Sequence, residues 1–147
     1  MRDLDAFHHV ALTVHDRDLC AEWYARVLGF EEVFREEGDE RRACVMRFAG
    51  GGFSVGLVEF GPAGGTSTDR FDPHRTGLDH LALACASRED LDEWDGHLRA
   101  QGVETSGVID IPVGAILNFT DPSGIALAIF WDGPTPKGTP AEAVTPG

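Results

Sequence analysis

The chain has 147 residues, 42% hydrophobic and 25% charged, which fits one globular domain, or two half-domains sharing a core, with a short tail. Lys and Arg number 12 against 25 Asp and Glu; the net charge of −13 argues against nucleic acid and anionic membrane as partners and favours a cationic small molecule. No apolar run approaches the ~20 residues of a membrane span, the N-terminus is acidic, and Cys20, Cys44 and Cys85 form no C-x-x-C pair, so a reducing cytoplasmic setting is expected.

Residues 7–14 predict an apolar, β-branched strand, and 16–28 an amphipathic helix with Leu19, Trp23 and Val27 on its buried stripe and Gly29 as C-cap. Strands follow at 32–37, 42–48 and 53–60, divided by Gly38-Asp39 and by Gly50-Gly51-Gly52. A polar linker, 61–77, leads to a second strand–helix series. There Ser87-Arg88-Glu89-Asp90 reads as a capping box, Leu91, Trp94 and Leu98 as the buried stripe, and Gly102 as the stop. Strands are expected at 105–110, 114–119 and 125–131, with a turn at Asp121-Pro122-Ser123-Gly124. Residues 133–147 read as a flexible tail.

The two series are one unit repeated. Phe7 to Val14 recurs 71 positions on as Leu78 to Cys85, and Trp23 recurs as Trp94. Near the module ends the offset is 72, with Val55-Gly56-Leu57 matching Leu127-Ala128-Ile129. The organisation is therefore an α+β fold of two βαβββ modules in tandem: 1–60, the linker 61–77, 78–132, and the tail 133–147.

Strand alternation assigns faces. Val10, Leu12 and Val14 should lie under the helices, which turns His9, Ala11 and Thr13 the other way. In the repeat, Leu81 and Leu83 go inward, and His80, Ala82 and Ala84 outward. His9 and His80 thus occupy matched places on small-sided faces, and imidazoles there suit metal ligation, hydrogen bonding or proton transfer. By parity and repeat, Thr13, Met46, Gly56, Phe60, Ala128 and Phe130 line the same cavity. Asn118, mid-strand, is hydrogen-bonded to a neighbour or aimed at a ligand. His8 is expected to be structural, His15 and His97 solvent-facing, and His74 part of a surface loop. Gly52-Phe53-Ser54-Val55-Gly56 satisfies a hydrolase pattern but leads into a strand rather than a helix, and is discounted.

The histidine strands His9 to Val14 and His80 to Leu83, the helix ending Tyr24-Ala25-Arg26-Val27-Leu28-Gly29-Phe30, and Asp121-Pro122-Ser123-Gly124-Ile125-Ala126-Leu127 together resemble the vicinal oxygen chelate superfamily. That superfamily includes glyoxalase I, bleomycin and fosfomycin resistance proteins, and extradiol dioxygenases. The resemblance implies eight mixed strands curled round a ligand cleft, a homodimer, and a divalent metal (Fe, Mn, Zn or Ni) held by His9, His80 and one or two glutamates. The glutamate positions, however, are Gly56 and Ala128, leaving a metal site that is weak or absent. Two readings follow. The first is a lyase, isomerase or dioxygenase-type enzyme with a degenerate metal site, in which His9 and His80 are catalytic. The alternative is a metal-free protein that sequesters a small organic ligand, as bleomycin resistance proteins do.

Overall fold

The computed structural model describes residues 4, 6–61 and 69–134. Its elements are β1 (His9–Thr13), α1 (Arg17–Leu28), β2 (Phe30–Glu36), β3 (Arg41–Phe48), β4 (Ser54–Phe60), β5 (Leu81–Ala84), α2 (Arg88–Ala100), β6 (Val108–Ile111), β7 (Gly114–Thr120) and β8 (Ala126–Trp131). The order is βαβββ twice, as the repeat predicts, in two mixed four-stranded sheets. The described residues up to His80, together with Thr120–Ala126, form one compact unit. Leu81–Phe119 and the described residues from Leu127 form the other. The last turn of the second repeat therefore belongs to the first unit. Of the expected tail, 135–147 lie outside the described residues. No described helix is long and apolar enough to cross a membrane.

In the first unit the strand order is β1-β4-β3-β2, with β1 parallel to β4 and the other pairs antiparallel. Helix α1 starts where the Asp16 carboxylate accepts the Leu19 N–H at 2.9 Å, and ends at Gly29, whose φ of 71° only glycine adopts without strain. Its buried side is Cys20, Ala21, Trp23, Tyr24, Val27 and Leu28. Leu19, expected on that side, is 54% exposed: the stripe is centred one residue later, on Cys20.

The helix covers the sheet face carrying Leu12, Cys44, Met46, Val55 and Leu57, all buried. Glu59 shares the face, since its carboxylate accepts the Arg17 N–H of the first helical turn at 2.9 Å. The Arg17 guanidinium, itself buried, is met by Asp18, Glu37 and the carbonyl of Glu36. The other face, without helix cover, carries His9, Ala11 and Thr13 of β1, Ser54 and Gly56 of β4, and Val45 and Arg47 of β3.

This register corrects one expectation. Met46 is paired with Val55, is 1% exposed, and lies under the helix rather than on the open face. A 72-residue offset would equate it with Asn118, but that offset does not hold through β3 and β7. Asn118 is exposed between buried Leu117 and Phe119, so the true mates differ by one residue, which in a strand exchanges the faces.

The second unit's sheet has the order β5-β8-β7-β6, again with its first pair parallel. The Ser87 hydroxyl caps α2 by accepting the Asp90 N–H at 3.0 Å, and Leu91 and Leu98 are fully buried beneath it. Trp94 is only half-buried and takes His97 edge-on at 5.3 Å, so His97 is packed rather than solvent-facing.

Candidate functional site

The open face of the first sheet ends in a cavity of about 580 Å³ built around His9. Phe7, Phe34 and Phe53 with Val33 and Val45 supply its apolar walls; its polar groups come from His8, His9, Arg47 and Ser54. Val33 and Phe34 both reach it although they are consecutive, which regular alternation forbids. A register shift between Glu32 and Phe34 in the β2–β3 pair explains this.

Across the strands the polar residues form a row. Arg47 pairs with Ser54, and Ser54 with His9, each on the open face. The next row is Val45, Gly56 and Ala11, where a Cβ on Gly56 would meet the Ala11 Cβ at 3.2 Å. The open face is thus flat and side-chain-poor just beyond its polar edge. His9 does not stand alone: its Nδ1 lies 2.7 Å from that of His8, with the rings edge-to-face. One ring donates a proton there and the other accepts it, which leaves Nε2 as the free nitrogen of each.

His80, one residue before β5, is exposed, and its Nδ1 is 2.5 Å from the Asp79 carboxylate. The carboxylate fixes the tautomer and leaves Nε2 to act. The remaining expected ligand-binding residues are spread along the sheets. Thr13 lies on the open face at the other end of β1, roughly 13 Å from His9 at the usual strand rise, and borders a second, smaller cavity. Phe60 is exposed at the far end of β4. Gly56 is buried against Ala11. In the second unit Ala128 is fully buried beside Ala82, Phe130 is half-buried beside Ala84, and the Asn118 backbone bonds to Ser106 while its side chain is exposed.

The smaller cavity, about 250 Å³, lies under the segment from Asp69 to Leu78 and is floored by Ser123 and Ile125. His15 borders it half-buried: its N–H donates to the Ser123 hydroxyl at 3.0 Å and its Nε2 touches the Asp69 carbonyl, so it is not the solvent-facing residue expected. Beneath it Tyr24 donates its hydroxyl to Asp121 at 3.2 Å, and Asp121 also accepts the N–H groups of Ser123 and Ile125. Burial raises the Asp121 pKa above the usual carboxylate value, and that of the Cys20 thiol to about 11.

The residues present do not fit the divalent metal that the resemblance implies. Two imidazoles need an anionic partner to offset the dehydration of such a cation. Gly56 and Ala128 carry no ligating atom, and Glu59 is spent on the first turn of α1 beneath the sheet. Among the described residues no three His, Cys, Asp or Glu side chains gather in a metal-binding group.

Sequence reasoning missed Arg47, Ser54, Phe34, Phe7 and Phe53. Ser54 and Arg47 were within reach: two residues before Gly56, Ser54 shares its parity, and Arg47 follows Met46. Phe34 was not, because the bulge cannot be seen in the alternation of β2.

Comparison with known proteins places the chain. The family model for the Glyoxalase/Bleomycin resistance protein/Dioxygenase superfamily matches residues 6–129. A glyoxylase/bleomycin resistance protein/dioxygenase domain from Frankia sp. EAN1pec is 35% identical over 88% of this chain and 99% of its own, with a TM-score of 0.79. TnmS3, an antibiotic binding protein from Streptomyces sp. CB03234, shares the fold at 20% identity and TM-score 0.69, covering 90% of this chain and 99% of its own. So does a mutant of the fosfomycin resistance protein FosX from Listeria monocytogenes, complexed with Mn(II), at 18% and 0.65 over 87% and 90%. No curated protein matches. The chain belongs to the Glyoxalase/Bleomycin resistance protein/Dioxygenase superfamily.

Proposed function

We propose that this chain binds a small organic molecule, without a metal, in the cavity around His9. The observation that carries the reading is the composition of the open face. The two positions where the superfamily's metal enzymes place glutamates are Gly56, on that face, and Ala128, in the second unit's sheet, while the open face of the first sheet borders about 580 Å³ of mixed aromatic and hydrogen-bonding surface. His9 would bind through Nε2, and Arg47 and Ser54 would fix the ligand's orientation. TnmS3, an antibiotic binding protein of the same fold, is a precedent for binding. Metal-stripped protein should gain thermal stability with one or more members of a small aromatic library, and Val45→Trp, which fills the cavity, should abolish the gain. Stabilisation that survives Val45→Trp would place the ligand elsewhere.

A second reading, catalysis, is favoured by the Asp79–His80 pair. An imidazole oriented by a carboxylate at 2.5 Å is suited to general acid–base work on a bound substrate, and would move the proton directly at Nε2. His80→Ala should then end turnover while the fold is kept; full activity in that variant would remove the role.

A further inference from the structure

Resting on the reading of the His9 cavity as a ligand site, we infer that its ligand is a flat aromatic molecule bearing a carboxylate or similar anion, held by Arg47. The charge of the whole chain suggests the opposite, a cationic ligand. The lining reverses that suggestion, because it holds a guanidinium, two imidazoles and a hydroxyl and no carboxylate at all.

The arrangement of those groups is more telling than their count. Arg47, Ser54 and His9 stand abreast on three adjacent strands, in the order β3, β4, β1, on the open face; Arg47 and Ser54 donate hydrogen bonds, and His9 does so from Nε2 when His8 gives the shared Nδ1 proton. Neighbouring strands are about 4.8 Å apart, so the two oxygens of one carboxylate can reach two of the three. One row inward on the same face Val45 lines the cavity, and Gly56 and Ala11 continue that face beyond the lining, apolar and nearly without side chains. Phe34 borders that row from β2, opposite Val45, and is 56% exposed. An anion on the donor row therefore lays an attached ring over Val45 and against Phe34, with the flat surface of Gly56 and Ala11 beyond.

Arg47 is also free for such a ligand. Arg17, Arg35, Arg42 and Arg99 each grip a carboxylate, in a chain with acids in excess. Arg47 forms no ion pair among the described residues. Glu31 is its cross-strand neighbour on β2 and exposed, yet makes no salt bridge to it and does not line the cavity. Glu31 ends the donor row and would compete weakly for Arg47.

The test uses metal-stripped full-length protein with 2-naphthoate and its neutral isostere 2-naphthamide, titrated by calorimetry. The naphthoate should bind at least about ten-fold more tightly than the amide. Arg47→Gln should bring the two within about three-fold, Glu31→Gln should tighten the naphthoate alone, and Val45→Trp should remove both. Should Val45→Trp fail to fold by circular dichroism, Phe34→Ala replaces it, with an expected loss of about three- to ten-fold for both probes. An amide that binds as well as the naphthoate, or a preference that survives Arg47→Gln, overturns the anion while cavity dependence keeps the binding site. If neither probe binds, or binding ignores both cavity variants, the site reading fails with it.

Discussion

Gly56 and Ala11 face each other across the parallel β1–β4 pair so closely that a Cβ on Gly56 would lie 3.2 Å from that of Ala11. Placing a carboxylate at this position means forcing a side chain between them. Gly56→Glu should destabilise the protein by about 1–3 kcal/mol in urea unfolding. Ala11→Gly in the same chain should recover part of that loss, more than the two single changes add up to. A Gly56→Glu variant as stable as the parent would mean that the strand pair is looser than its register implies.

The carboxylate of Asp18 should govern the acid limb of stability. A hydrogen bond from Arg35 at 2.5 Å, with others from Arg17 and Arg42, holds its pKa at about 2, below the ordinary carboxylate value. A carboxylate with a depressed native pKa stabilises the fold above its unfolded pKa and loses that contribution as pH falls through its native one. Unfolding midpoints should therefore drop between about pH 4 and 2, and Asp18→Asn should flatten the drop. An unchanged acid limb in Asp18→Asn would show that other groups set the drop.

Asp121 behaves in the opposite sense. Burial raises its pKa, while the Ser123 and Ile125 N–H groups and the Tyr24 hydroxyl pull it back. A carboxyl with a raised native pKa favours the fold below its unfolded pKa, and that contribution is lost as pH rises through the native one. Tyr24→Phe removes a donor to the charged form and should cost about 1–2 kcal/mol near neutrality. The deficit should shrink as the pH is lowered and the carboxyl takes up its proton, which it does above the ordinary carboxylate value; a deficit independent of pH would show that Tyr24 acts through packing alone.

His9 and His80 should separate in binding experiments. His9 belongs to the aromatic cavity and His80 is not among its lining residues. His9→Ala should weaken a cavity ligand by about ten-fold, the worth of one hydrogen bond, while His80→Ala should leave affinity within about two-fold. Equal losses in both would point to a single site using both imidazoles.

The fold was largely legible because it is written twice. Element order, Gly29 and Ser87 as caps and the Asp121 turn all follow from local pattern and repeat. Faces were legible wherever a strand alternates cleanly, as at His9, Ala11 and Thr13. They were lost where the count slips by one residue: Leu19 moved out of the helix stripe and Met46 beneath the helix. The site was less legible. Its anchors at Arg47 and Phe34 depend on which residues strand pairing and a bulge bring beside His9, and nothing local to either residue records that.

Metal content decides most directly whether the His9 cavity works without a cation. Protein purified without chelators, and then titrated with Mn(II), Fe(II), Zn(II) and Ni(II) by calorimetry, is compared with His9→Ala and His80→Ala. Substoichiometric metal is expected in all three proteins, with no saturable binding that either variant removes. One metal per chain, lost in both variants, would contradict metal-free binding and restore an enzyme whose missing anionic ligand lies outside the residues named above.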